Sequence, residues 1–455
     1  MRAFFPSITL HFMLGAIAVL IYVLSTRIRQ ERRPAAAAIA WVMGLALMPY
    51  LMLPLYLAFG RRKTRGAPPA AVMPASGRVH WAAALLNSFG LTPPSPTQVS
   101  FHEDGAQARD ALWALLDGAG ERLDICTFLI GDDPLGHEAL QRLTQKARNG
   151  VKVRLLLDGF GVWGAPRKQL RALKAAGAHV QIFRPVLALR AEGPRNLRNH
   201  RKLAIADGTK LWAGGRNLAA EYFVGSDGVE PWVDLSFDVS GYVAIAAGAQ
   251  FEADWASAQG RLPAPSALPP RLVERDFGAD AQFLPSGPDQ SEDTAHALLV
   301  DACYRAQHRL LAVTPYFLPD ESLRTAMRLA ARRGVRITLV VPERSNHRLA
   351  DFVRARAMRE LAGAGAEIRL LPRMTHAKAV VVDNSFALCG SINLDLRSLL
   401  LNYESAVVFY GAEEITWLAN WIEALALNGA QFVPRAPGVM RDIGEGMLLT
   451  IAFQL

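Results

Sequence analysis

The chain has 455 residues, 51% of them hydrophobic, three cysteines and a formal net charge of +9. That length holds an anchor plus one large or two medium domains, and three cysteines without C-x-x-C spacing exclude a disulfide framework and a thiolate zinc site. The charge does not mark a nucleic-acid surface: of 50 Lys/Arg and 41 Asp/Glu, nine and one fall in residues 1–66, leaving 41 and 40 for the rest, so the basicity belongs to the N-terminus.

Two hydrophobic runs open the chain, residues 3–24 and 35–60. Each is long enough, at about 1.5 Å per residue, to cross a hydrocarbon core of about 30 Å. Both are predicted to span, with Pro49 and Pro54 kinking the second. A cleaved signal is disfavoured, because Tyr-Val-Leu-Ser-Thr precedes the Arg cluster where small residues would mark a cleavage site, and a second run follows. If both runs span, Arg2, Arg61, Arg62, Lys63 and Arg65 share a side with the large remainder, and Arg27, Arg29, Arg32 and Arg33 face the other. Five basic residues against four leave the orientation open, but they predict contact with anionic headgroups on either leaflet. Residues 1–63 thus read as a two-helix anchor, and residues 64–98, rich in Ala, Pro and Gly, as a linker.

Beyond it a βα rhythm begins. Residues 106–116 have helical spacing, 123–130 read as a strand, 136–149 as a helix ending at Gly150, and 151–157 and 180–183 as buried strands. Residues 200–217 then read HRKLAIADGTKLWAGGRN. After the low-complexity join at residues 263–270 the pattern returns: ARNGVKVRLLLD (147–158) matches ARRGVRITLVVP (331–342), and HAKAVVVDNSFALCGSIN (376–393) repeats the earlier motif. Both copies fit His-x-Lys-x4-Asp-x6-Gly-[Gly/Ser]-x-Asn, with His200, Lys202, Asp207, Gly214 and Asn217 answering His376, Lys378, Asp383, Gly390 and Asn393. The whole half is therefore duplicated. The expected fold is α/β: two halves, residues 99–262 and 271–455, with mostly parallel sheets and pseudo-twofold symmetry, their motifs meeting at the interface.

In each copy the apolar run after the Lys implies a buried strand, and alternation puts the His and the Lys on one face, with Arg201 and Ala377 pointing away. A Gly-rich turn lets the backbone approach a ligand, and an Asn amide can bind an oxygen. Two imidazoles, two ammonium groups and two amides converging on one anionic centre would supply what a phosphodiester needs: a nucleophile, a proton donor and fixed positive charge.

On these residues the sequence resembles the phospholipase D superfamily, whose defining feature is a duplicated motif of this form. The strings FLIGDDPLGHEAL, GVKVRLLLDGFG, TPYFLPDE and GSINLDLRSLLLNYE, with the two N-terminal runs, look like bacterial cardiolipin synthases of the phospholipase D type. The resemblance covers essentially the whole chain. It departs at Met374-Thr375, where an aromatic residue is commoner before the second His, and after Pro437, where nothing maps. It implies phosphatidyl transfer between two phosphatidylglycerol molecules at the inner (cytoplasmic) membrane by a multi-pass protein, with no metal, no cofactor and no nucleic-acid partner. His200 would be the nucleophile and His376 the general acid, then base, an assignment whose exchange stays open. Lys202, Lys378, Asn217 and Asn393 would hold the nonbridging oxygens, with Ser391 in support. Asp234 and Glu404 match acids that the family sets behind its histidines. Asp207 and Asp383 belong to the motif, but beside Gly208 and Asn384 at strand ends they read as turn anchors. Tyr316 and Arg397 are candidates for the entrance.

A nuclease with the same chemistry would want a basic catalytic surface, which the near-neutral remainder does not offer. An inactive scaffold would have lost motif residues, and both copies are intact. A lipid hydrolase, or a transferase using another alcohol acceptor, keeps every catalytic residue and stays open. So do the acceptor lipid and the oligomeric state.

Overall fold

The computed structural model describes residues 8–29, 35–60, 62–64, 80–186, 196–226, 228–262 and 279–449. Arg2, Arg32, Arg33, Arg61 and Arg65, residues 65–79 of the expected linker and the join at 263–270 lie outside the described residues.

Each half builds one mixed sheet. In spatial order the first holds the strands Val99–His102, Ser236–Ser240, Lys210–Gly214, Leu203–Ala206, Arg122–Thr127, Lys152–Asp158 and His179–Phe183. The second runs Ser95–Thr97, Ala279–Ser286, Glu404–Phe409, Phe386–Gly390, Ala379–Val382, Arg309–Val313, Arg336–Pro342, Glu367–Leu371 and Ala430–Gln431. Without its two outer strands the second order repeats the first, so the duplication read from sequence extends to every core strand. The expectation of mostly parallel sheets is corrected, since only two pairings in each sheet are parallel. The motif strands are the reason: three-residue turns at 207–209 and 383–385 join them as hairpins, and a tight hairpin can only be antiparallel. Asp207 and Asp383 sit in those turns, each with φ of +51°, a left-handed conformation that Asp tolerates better than most residues.

The flanking helices start where short acids can cap them. Asp104 accepts the N–H groups of Ala106 and Gln107, Asp133 that of Gly136, and Asp320 those of Ser322 and Leu323. A continuous apolar core joins the halves: Leu203, Phe237 and Phe251 of the first share a cluster with Phe283, Val381 and Phe409 of the second, and Phe101 stacks on Trp417 with centroids 4.5 Å apart.

The expected linker 64–98 is corrected over its second part. Helix Trp81–Ser88 buries Ala82 and Leu86 against Leu298, Leu299 and Ala302 of the second half, and Ser95–Thr97 pairs antiparallel with Ala279–Ser286. Pro96 and the Pro93-Pro94 pair before it disguise this strand, which Pro96 can enter because it lies at the sheet edge. At the other terminus the helix Val439–Leu449, which no sequence signal announced, packs on Arg348–Gly363 and buries Glu445 between Arg359 and Arg441.

At the N-terminus, Ile8–Arg29 forms one helix with most of its apolar side chains outward; among the described residues, Ile8–Ile28 is the one stretch long and apolar enough to cross a membrane. The second run, expected as a single span, is two shorter helices, Ala35–Leu47 and Pro49–Phe59. The break is Met48 (φ −136°, ψ 57°), because the ring of Pro49 excludes the residue before it from helical geometry. Pro54 lies inside the following helix without breaking it. Ala18, Tyr22, Leu45 and Tyr56 pack the three helices together.

Candidate active site

The two motifs meet where the halves meet, through matching backbone contacts. Asn199 bridges Tyr403, and Thr375 bridges Val233, both in the parallel sense. The His200 N–H donates to the Tyr403 carbonyl at 2.8 Å, and the His376 N–H to the Val233 carbonyl at 2.7 Å. Tyr403 and Val233 each precede an acid, so this register fixes which acid faces which imidazole. Glu404 lies behind His200, with both carboxylate oxygens 3.0 Å from Nδ1, and Asp234 lies behind His376, with Oδ2 2.8 Å from Nδ1. Each histidine is therefore oriented by the other half's carboxylate, a crossing that spacing along the chain could not reveal.

The acids are themselves held. Glu404 accepts from Ser391 Oγ at 2.5 Å, Ser398 Oγ at 2.8 Å and Asn402 Nδ2 at 3.3 Å. Asp234 accepts its neighbour's N–H, from Leu235, at 2.8 Å. The Gly/Ser choice in the motif follows. A Cβ at Gly215 would overlap the Asp234 carboxylate, whereas the equivalent Ser391 reaches the other acid with its hydroxyl. Ser391 thus braces Glu404 rather than a ligand. Two buried arginines that sequence reasoning did not single out fix the acids' backbone: Arg201 Nε donates to the Glu404 carbonyl at 2.9 Å, and Arg216 Nη2 to the Asp234 carbonyl at 2.7 Å. Arg201 points away from the motif face as alternation requires, but into the interior, where it pairs with Asp254 and Asp289.

Lys202 Nζ donates to the His200 carbonyl at 2.7 Å, and Lys378 Nζ binds the His376 carbonyl in the same way. Lys378 Nζ also lies 2.7 Å from His376 Nδ1. That ring nitrogen therefore stands between an acceptor and a donor, whereas His200 Nδ1 faces acceptors alone. Among the described residues neither Nε2 is hydrogen-bonded. Phe128 walls His200 (centroids 5.4 Å apart), and Tyr222 and Trp232 wall His376 (5.0 and 5.6 Å). His200 keeps 15% of its side chain exposed and His376 only 5%. Asn217 Nδ2 donates to Tyr222 OH, while the Oδ1 atoms of Asn217 and Asn393 have no partner among the described residues. The two ends of an amide are distinguished by their partners alone, so Asn217, turned over, can accept from the Tyr222 hydroxyl and offer its N–H groups to an anion, whereas the Asn393 amide donates to Asp395.

Burial depresses His376 to about 3, with Lys378 adding to the effect against the pull of Asp234. Burial, and secondarily Lys202, also lowers His200 against the attraction of Glu404. Burial brings Lys202 down to about 8 and Lys378 to about 7. Burial alone would raise Asp234, but His376, Lys378 and Arg216 outweigh it and hold it at about 2. For Glu404 the same burial is overcome by His200, Lys202 and Ser391. The resting site thus pairs ionised acids with neutral imidazoles. An entering phosphodiester adds one negative charge and raises every nearby proton affinity, which lets one ring take up a proton as the substrate binds.

Asp207 and Asp383 do not join this centre. They lie at the far ends of the motif strands, where Asp207 accepts the N–H groups of Gly120, Glu121 and Arg122 (3.0, 2.8 and 2.9 Å) and Asp383 those of Gln307, His308 and Arg309 (2.9, 2.8 and 2.8 Å). They fasten the hairpin turns, the role that their place at strand ends suggested. Tyr316 is tied to Asn346 (2.5 Å), and Arg397 Nη2 donates to the Asn196 carbonyl (2.6 Å).

The sequence model of the family described as "Cardiolipin synthase, PLD-like domain" matches residues 112–230 and 299–426. Cardiolipin synthase A of Pseudomonas putida (strain W619) is 33% identical, over 86% of this chain and 85% of that protein. Cardiolipin synthase A of Pseudomonas aeruginosa (strain LESB58) is 31% identical, over 93% and 92%. Among solved structures, phosphatidylserine synthase from Haemophilus influenzae Rd KW20 shares the fold, with a TM-score of 0.63 at 14% identity, over 81% of this chain and 98% of that one.

Proposed function

This chain belongs to the cardiolipin synthase family of phospholipase D-like proteins, and from that membership we propose that it joins two phosphatidylglycerol molecules into cardiolipin, releasing glycerol. The observation that carries the reading is the pair of histidines, one from each half, each held at Nδ1 by the opposite half's carboxylate with Nε2 left for chemistry.

His200 is the nucleophile. With only acceptors at Nδ1 it carries its proton there, and the lone pair stands on Nε2. That nitrogen attacks phosphorus while the bond from phosphorus to the glycerol headgroup oxygen breaks, giving a phosphatidyl-histidine. His376 donates the leaving oxygen's proton: beside both Asp234 and Lys378, its ring is served in either tautomer. In the second step the hydroxyl of another phosphatidylglycerol gives its proton to His376 as its oxygen attacks phosphorus, and the bond to His200 breaks. Lys202, Lys378, Asn217 and Asn393 hold the nonbridging oxygens, where charge grows in the transition state.

A bilayer suits this exchange, because it concentrates the acceptor lipid in a plane and keeps water from the intermediate. We place the chain in the inner (cytoplasmic) membrane, with Ile8–Arg29 crossing and the broken pair Ala35–Leu47 and Pro49–Phe59 returning as a kinked second pass; their outward apolar side chains support this. Residues 1–63 then act as the anchor, and 99–262 and 271–455 as the halves of the transferase, the second completed by residues 80–97.

The test is lipid mass spectrometry on the purified full chain in phosphatidylglycerol liposomes. Cardiolipin and glycerol are expected in equal amounts, with turnover reduced on the order of 10⁴-fold in both His200→Ala and His376→Ala. Phosphatidic acid without cardiolipin would overturn the transferase assignment.

A further inference from the structure

Next to the His200 wall the chain makes a short helical turn, Gly161–Gly164, directly after the strand Lys152–Asp158. Two large aromatic side chains stand on it in solvent, Phe160 at 47% exposure and Trp163 at 58%, with ring centroids 6.3 Å apart. Exposed aromatic pairs are uncommon on a water-facing surface, and this one is built rather than loose. The buried Asp158 carboxylate accepts the Phe160 N–H at 2.8 Å through Oδ1 and the Asn199 N–H at 2.8 Å through Oδ2, so one acid pins both the turn and the residue before His200. Gly161 lies so near the Phe128 carbonyl that any Cβ there would overlap it; Phe128 is the ring against His200. The guanidinium of Arg198 sits 4.8 Å over the Phe160 ring.

The same patch leads to the end of the anchor. The Arg198 carbonyl accepts the Tyr403 N–H at 2.9 Å, and the Tyr403 hydroxyl lies 3.4 Å from Thr64 Oγ1. The Thr64 N–H donates to the Pro288 carbonyl at 2.9 Å, and Lys63 Nζ donates to the carbonyls of Gly287 (3.2 Å), Gln290 (3.0 Å) and Glu292 (3.3 Å). Asn196 Nδ2 donates to the carbonyl of Phe59, the last residue of the third apolar helix, at 3.2 Å, and Arg397 holds the Asn196 carbonyl. The apolar helices thus do not end in a free tether. Their last residues are fastened to the core beside Tyr403, one residue from Glu404 and in backbone contact with His200.

We propose that Phe160 and Trp163 form a second membrane contact, an aromatic rim that dips into the lipid interface beside the active site while the anchor exit holds the catalytic core at a fixed height. The occupant is the bilayer surface. Continuity with the anchor exit argues for it, as does the aromatic character that favours the headgroup level. The rim would let a phosphodiester reach His200 from the plane of the membrane without entering water. This rests on the reading of the site as a lipid transferase, but the contact can be tested apart from turnover.

The experiment reconstitutes the full chain in phosphatidylglycerol vesicles carrying brominated acyl chains and compares wild type with Trp163→Phe. The difference between the two emission signals belongs to Trp163. Quenching of that difference signal by the brominated lipid, with little quenching by aqueous iodide, is expected. Quenching by iodide alone would overturn the rim. In a second arm, Phe160→Ser/Trp163→Ser should lower turnover of vesicle lipid about tenfold or more, yet leave turnover of a short-chain phosphatidylglycerol kept monomeric in water within about twofold. Equal loss on both substrates would mean that the turn serves folding alone. If lipid quenching is present but no cardiolipin forms, the membrane contact stands and the reaction assignment fails.

Discussion

The chemistry rests on a few protons whose positions are set by burial. Lys378 at about 7 and Lys202 at about 8 lose charge as pH rises through that range, whereas both histidines are held below their ordinary 6.5 and stay neutral on the acid side. For the free enzyme kcat/KM should therefore be highest below about pH 7 and decline between about 7 and 8, since lost cations are lost transition-state partners. Lys378→Arg, which cannot deprotonate, should shift that decline upward. A profile that keeps rising through pH 8 would contradict this. The two histidines, lysines and asparagines were legible in the sequence because the motif occurs twice with one spacing. Their cross-pairing with Glu404 and Asp234 was not, because it depends on a backbone register between segments some 140 to 200 residues apart. The aromatic walls Phe128, Tyr222 and Trp232 were illegible for another reason: a lone aromatic beside a strand looks like any core residue.

At the scale of the element, the hairpin is the unit that presents each His-x-Lys, and its turn acid is what holds it in place. Asp383→Ala removes three N–H partners and puts Ala at a φ of +51°, so a loss of about 1–3 kcal/mol in stability is expected by chemical denaturation. Asp383→Asn, which tolerates that conformation and keeps an acceptor oxygen, should lose clearly less. Turnover per folded molecule should stay near wild type in both. A drop on the order of 10³-fold without unfolding would place Asp383 in the catalytic set. The same scale explains where sequence reading went astray. Residues 80–97 looked like linker because prolines crowd them, yet their strand sits at a sheet edge that tolerates proline. The strand order was also misjudged as mostly parallel, because the βα rhythm of residues 106–157 and its repeat was extended over hairpins that cannot follow it.

For the whole molecule, duplication brings two half-sites together, so the proposed active site lies at the interface between the halves. Buried charge reinforces that interface: Arg201, on the first half, ties Asp254 of its own half to Asp289 and the Glu404 carbonyl of the second. Arg201→Met would leave Asp254 buried without its main partner, and about 3–5 kcal/mol of stability should be lost. A loss under about 1 kcal/mol in thermal or denaturant unfolding would show that the halves are joined by their apolar core alone. The pseudo-twofold design was visible in the repeat itself; the ionic tie was not, since Arg201 occupies the motif's variable position and its partners lie 53 and 88 residues away.

The most direct test of a histidine pair acting on one phosphodiester is to catch the covalent intermediate. The full chain in vesicles of ³²P-labelled phosphatidylglycerol would be quenched during turnover and digested, and the label located by peptide mapping. The account predicts acid-labile, base-stable label on the peptide that contains His200, absent in His200→Ala. Label on the His376 peptide instead would exchange the two roles. Cardiolipin accumulating while neither histidine ever carries label would contradict the mechanism.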